Sequence, residues 1–170
     1  MRQLNILKAI LDLFWFFTLI GAIGVVVFLP FYLFGFVVDI PIKIKGQEIA
    51  TNDVFSKIIV FINVVSGLLF LYSIYLLRKV VSLFQKREIF NEEVVKLFNL
   101  IGQLVIGTSL ISNISLFIYK FVEKDSADLN LDLGSYDSFL ISISLGLFFI
   151  VISAIFKIAT RMKEENELTI

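Results

Sequence analysis

Asp128, Asn130 and Asp132 alternate as D-x-N-x-D within "DLNLDLG", the arrangement that opens a calcium-binding loop by turning three side-chain oxygens toward one cation. The match ends there. Gly134 falls one position late for the loop's sharp turn, and Phe139 stands where a bidentate glutamate is needed. The intervening leucines fit the polar face of a strand better than an oxygen cage, so no metal site is expected. The chain has no His and no Cys, which removes the commonest general base, the thiol nucleophile and the soft metal ligands. No Ser-His-Asp set, HExxH, Walker or GxGxxG pattern occurs either, so the chain reads as a non-enzyme without a cofactor.

The remaining polar chemistry lies inside long apolar runs, where Asn63, Gln103 and Asn113 stand among Thr18, Ser66, Thr108, Ser109, Ser112, Ser115, Ser142, Ser144 and Ser153. Amides and small hydroxyls in such runs let helices approach and hydrogen-bond across their interface. Those three amides are therefore expected to serve intramembrane packing. No Asp, Glu, Lys or Arg interrupts the runs, which disfavours a pump or a proton-coupled carrier.

The runs that hold these residues are Leu13–Val38, Ile58–Leu77, Leu97–Tyr119 and Ser138–Phe156, with lengths of 26, 20, 23 and 19 residues. About 20 apolar residues cross the hydrocarbon as a helix, and a soluble bundle would instead need charges every turn or so on its outer face. With 58% hydrophobic and 18% charged residues, the composition points the same way. The expected fold is an all-α integral membrane protein, one domain over residues 1–170, with four transmembrane helices. Arg2, Lys8 and the first run resemble a secretory signal, but the run is too long for one and no small-x-small site follows, so the first span is expected to stay. Pro30 should kink that helix or end it early.

Lys and Arg in the short connections set the orientation. Ten lie in the N-terminal tail, the connection between spans two and three, and the C-terminal segment 157–170, against five in the other two connections. Both termini are expected in the cytoplasm, an N-in/C-in topology. The total charge balances, 15 basic against 15 acidic residues, so direct nucleic-acid binding is not expected. On the outside, "IPIKIKGQEI" and "DLNLDLG" both alternate apolar and polar residues. They are expected to pair as a small extracytoplasmic β lid, Lys43 and Lys45 facing the aspartates. "DLFWFFTLIG" and "EVVKLFNLIG" lie 81 residues apart, and "GLLFLYSIYLLRK" and "GLFFIVISAIFKI" lie 79 apart. A duplicated helical hairpin would leave such offsets and would give a pseudo-twofold bundle with Arg78 and Lys157 at matching ends. Compositional likeness between apolar helices is the plainer explanation.

Two cytoplasmic segments remain. "RKVVSLFQKREIFNEEVVKLF" carries Val80, Leu83 and Phe84 at helical spacing among basic residues, which suits an interfacial extension of the second helix. Asn91 then suits an N-cap for the third, with Glu92 and Glu93 at the positive end of its dipole and Phe90 and Val95 placed as a hydrophobic staple. From Lys157 to Glu167 the chain suits a helix protruding from span four, with Arg161 and Glu165 an i,i+4 pair, and then Leu168 and Ile170 add apolar groups beside a carboxylate. The candidate partner surface is Arg78, Lys79, Lys86, Arg87, Asn91, Arg161, Glu164, Glu165, Leu168 and Ile170. Ordinary membrane-edge capping accounts for the same residues.

"LFQKREIFNEEVVKLFNLIG" before the third span and the closing "EENELTI" resemble the YoaS-like bacterial family of small four-helix membrane proteins, a domain-of-unknown-function family. The resemblance covers nearly the whole chain. It implies a bacterial cytoplasmic membrane and, through neighbouring genes for small helix-turn-helix regulators, a membrane-bound partner of a transcription factor. The expected function is thus non-enzymatic binding or regulation of a cytosolic partner, with the lipid bilayer as the other partner. The alternatives are a small transporter or channel subunit, which would need a homo-oligomer because four spans enclose little space, and a membrane assembly component.

Overall fold

In lipid every backbone N–H and C=O must be satisfied within its own segment, so uncharged runs of this length fold as helices. The computed structural model describes residues 2–34, 42–45, 47–49, 53–123 and 133–167. It contains α1 (Arg2–Leu33), a hairpin of β1 (Ile42–Ile44) and β2 (Gln47–Ile49), α2 (Val54–Gln85), α3 (Glu92–Glu123) and α4 (Leu133–Glu167). All four helices are long and apolar enough to cross a membrane, and each outruns the hydrocarbon core because its ladder continues until a cap stops it. α1 runs through Pro30 and ends one turn later, where the Phe34 N–H donates to the Pro30 carbonyl at 2.9 Å and the Lys57 ammonium donates to the Leu33 carbonyl at 3.3 Å.

The helices pack in chain order, α1 on α2, α2 on α3, and most closely α3 on α4. The closest approach is at two glycines. A Cβ on Gly102 would lie 2.6 Å from the Gly146 carbonyl oxygen, and one on Gly146 would lie 2.9 Å from that of Gly102. α1 and α4 do not close the row as the sequential pairs do, so the helices do not form the closed pseudo-twofold bundle that a duplicated hairpin predicts.

One correction concerns the α2–α3 end of the bundle. Val80 and Leu83, expected on the membrane surface, are buried with Val94, Leu97, Phe98 and Ile101, and Phe84 packs against this core. α2 runs on past its apolar run against α3 instead of turning to lie on the bilayer, because the same stripe is covered more fully by a neighbouring helix than by headgroups. At the other end, β1 pairs antiparallel with β2, setting Ile42 opposite Ile49, Lys43 opposite Glu48 and Ile44 opposite Gln47. The strand expected around Lys43 exists and pairs with the next strand in the same connection, while the segment expected to join it from the other connection lies outside the described residues. Lys45, which follows β1, has φ 49, in the left-handed region that tight hairpin turns use. Residues 128–132, and with them Asp128, Asn130 and Asp132, lie outside the described residues, while Leu133 and Gly134 open α4 instead of ending a strand.

Candidate functional site

The α2–α3 turn is built by two caps. The Arg87 N–H donates to the Phe84 carbonyl and the Glu88 N–H to the Leu83 carbonyl, each at 3.1 Å, a Schellman closure of α2. That motif favours glycine at its left-handed position, yet Arg87 occupies it with φ 65. α3 opens as expected: the Glu93 N–H donates to Asn91 Oδ1 at 3.0 Å, and Glu92 and Glu93 fill the first turn. Phe90, proposed as a staple, lies against Phe156 of α4 with ring centroids 6.5 Å apart.

Phe156 is the hub that brings α4 to this turn. Its ring centroid is 5.5 Å from that of Phe98 and 5.7 Å from that of Phe84, so one aromatic from each of α2, α3 and α4 meets at one point. Each such contact contributes about 0.5–1.5 kcal/mol beyond area burial. Ser153, one turn earlier, donates to the Val95 carbonyl at 2.7 Å. One turn beyond Phe156, α4 passes beside the turn and borders a half-open cavity of about 330 Å³.

Arg87, Glu88, Phe90, Asn91 and Glu92 line this cavity from the turn, and Thr160, Lys163 and Glu164 line it from α4. Thr160 is 6% exposed, and its Oγ1 has no hydrogen-bond partner among the described residues. A buried hydroxyl left unpaired costs about 1–3 kcal/mol, so this atom is a point at which a polar group brought from outside would gain. The cavity thus combines an unspent hydroxyl, charges of both signs and one exposed aromatic ring.

Of the sequence-derived surface, Arg87, Asn91 and Glu164 come together here. Arg78 does not. It faces inward, its guanidinium 2.6 Å from Asp12 of α1 and stacked 4.4 Å from the centroid of the Trp15 ring. Lys79 pairs with Glu93 at 2.6 Å, tying α2 to α3 below the turn. Lys86 is exposed at the end of α2, and Arg161 pairs with Glu165 at 3.0 Å on the exposed side of α4. Leu168 and Ile170 lie outside the described residues. Sequence reasoning had placed Phe90 in the capping of α3 and passed over Thr160; the signal available was a hydroxyl residue one turn before a charged helix end.

The three intramembrane amides behave differently from one another. Asn63 joins α2 to α3, donating to Ser115 Oγ at 2.9 Å and accepting from Ser112 Oγ at 2.8 Å. Asn113 donates to the Ser109 carbonyl within its own helix at 2.7 Å, and Gln103 is exposed on the outer face of α3. Above the buried core, a second cavity of about 650 Å³ reaches from Thr18 and Leu71 up to the hairpin. Among the described residues no group of three or more acidic, His or Cys side chains could hold a metal ion.

Four apolar membrane-length helices in an open row, with a polar cavity at one end, define a multi-pass membrane protein. The chain belongs to the family described as "Protein of unknown function (DUF2975)", which it matches over residues 5–170. No curated protein and no solved structure matches it.

Proposed function

We propose that this protein is a non-enzymatic receptor in the bacterial cytoplasmic membrane that holds or regulates a cytosolic protein at the cavity between the α2–α3 turn and α4. The observation that carries this reading is the unpaired Thr160 hydroxyl, buried in a cavity to which two chain segments 70 residues or so apart both contribute. Charge counting in the connections supports a cytoplasmic position for this end and for both termini. The resemblance drawn from the sequence supplies the partner class, a small helix-turn-helix regulator.

Arg87 and Lys163 beside Glu88, Glu92 and Glu164 make the rim amphoteric, so specificity would come from the pattern of charges rather than their sum. The test compares cytosolic proteins retained by native membranes bearing the wild-type chain, Arg87→Glu, or Thr160→Leu. Loss of the same protein in both variants, with helical content unchanged, is the expected result. Equal retention by all three refutes the reading.

A further inference from the structure

A helix measures ~10–12 Å across with its side chains, more than the half-open cavity of about 330 Å³ at the α2–α3 turn can admit. A partner therefore reaches into it with one side chain, and the groups left unspent there select which. Glu92 is taken by Lys96 at 3.0 Å, and Lys163 already has a partner of its own. The Asn91 side-chain oxygen accepts from the Glu93 N–H. Among the residues that line the cavity, Arg87, Glu88 and Glu164 are the charged ones without an ion pair to any described residue, two negative charges against one positive.

The two carboxylates are exposed and stand on opposite walls, Glu88 on the turn and Glu164 on α4. The lining adds two groups of another kind. Phe90 is 48% exposed and offers a ring, while Thr160 is the buried member of the lining, with an Oγ1 that has no partner among the described residues.

Two carboxylates, an unspent hydroxyl oxygen and an open aromatic face are what a guanidinium uses. Its planar fork carries five N–H donors and no acceptor, pairs with carboxylates along its edges and stacks on aromatic rings. A lysine ammonium is a compact point charge with three donors and lacks the flat fork that reaches two walls at once. A carboxylate would meet two like charges. An apolar side chain would leave the Thr160 hydroxyl buried and unpaired.

We propose that the turn cavity receives an arginine side chain of the cytosolic partner, its guanidinium spanning the Glu88 and Glu164 carboxylates, its plane on the Phe90 ring and one N–H on Thr160 Oγ1. This assignment rests on the receptor function proposed above and names the side chain the receptor takes. Arg87, exposed on the rim, is left for an acidic neighbour of that arginine on the partner.

The test is saturation-transfer NMR of the full chain in phosphatidylcholine nanodiscs, titrated with the N-acetyl amides of arginine, lysine and citrulline, the last a neutral mimic of arginine; empty nanodiscs give the background. The arginine probe should show transfer, the lysine probe less and the citrulline probe none. Glu88→Gln and Glu164→Gln should each weaken arginine binding by about two- to fivefold, the range of an exposed ion pair. Thr160→Val should weaken it by about two- to tenfold, the worth of one hydrogen bond. Both acids are exposed, so circular dichroism should show unchanged helical content in their variants. Arg87→Glu should keep or strengthen probe binding, whereas the same substitution should release the cytosolic protein from native membranes, so failure of one claim is told apart from failure of the other. No transfer to the arginine probe, equal transfer to the lysine or citrulline probe, or undiminished binding when Glu88→Gln and Glu164→Gln are combined overturns the arginine assignment and leaves the receptor function standing. Loss of probe binding in Arg87→Glu overturns the assignment as well.

Discussion

Replacing Arg87 by glycine should make the protein more stable and a poorer receptor. Arg87 is the left-handed residue of the Schellman closure, at φ 65. An L-residue held in that region costs about 1–2 kcal/mol relative to its preferred conformations. Glycine removes the strain but brings about 0.5–1 kcal/mol of extra backbone entropy to be lost on folding. The difference leaves Arg87→Gly stabilised by about 1 kcal/mol. The same change removes the guanidinium from the rim of the turn cavity. Reversible unfolding in mixed detergent micelles measures the first effect, and retention of the cytosolic partner by native membranes measures the second. Arg87→Gln separates them, because it keeps the strain and removes the positive charge. A destabilised Arg87→Gly variant would show that the turn's geometry is not a cost to the fold. Unchanged partner retention would show that Arg87 is no part of the docking surface.

Gly146→Val should loosen α3 from α4 by about 1–3 kcal/mol, the usual cost of overpacking, because the new Cβ meets the Gly102 carbonyl oxygen at 2.9 Å and backbone cannot give way as a side chain does; detergent unfolding reads this directly. Asp12→Asn should cost on the order of 1–2 kcal/mol, between the limits for exposed and buried ion pairs, since the Arg78 guanidinium is 2.6 Å away and half-buried. A shift in Trp15 emission should accompany it, because the same guanidinium stacks on that ring. Thr160→Val should be neutral or stabilising by up to about 1–3 kcal/mol, as it deletes an unpaired buried hydroxyl while keeping its shape, and should weaken partner retention.

The four helices were legible because an uncharged run of this length has no other way to satisfy its backbone in lipid. The Asn91 cap was legible for a similar reason: its chemistry is local, needing an acceptor two residues before an N–H. What could not be read depended on which face met which neighbour. Asn63, Gln103 and Asn113 are all amides in apolar runs, yet Asn63 bonds across helices, Asn113 bonds back along its own, and Gln103 faces outward. Arg78 looked like surface charge because its partner, Asp12, is 66 residues away. Arg87 carried no glycine signature to mark the closing turn. Thr160 and the hairpin-end chamber depend on the angles between helices, which residue types do not encode.

The docking claim can be tested with chemistry that the sequence itself allows. The chain has no cysteine, so single substitutions Arg87→Cys and Glu164→Cys each provide one thiol, one on the turn and one on α4, both lining the cavity. Thiol-directed crosslinking in native membranes should join the same cytosolic protein to both positions and nothing to Phe121→Cys, which sits at the far end of α3. Reaction of either thiol with an impermeant reagent from outside intact cells, or different proteins captured from the two positions, would contradict the account.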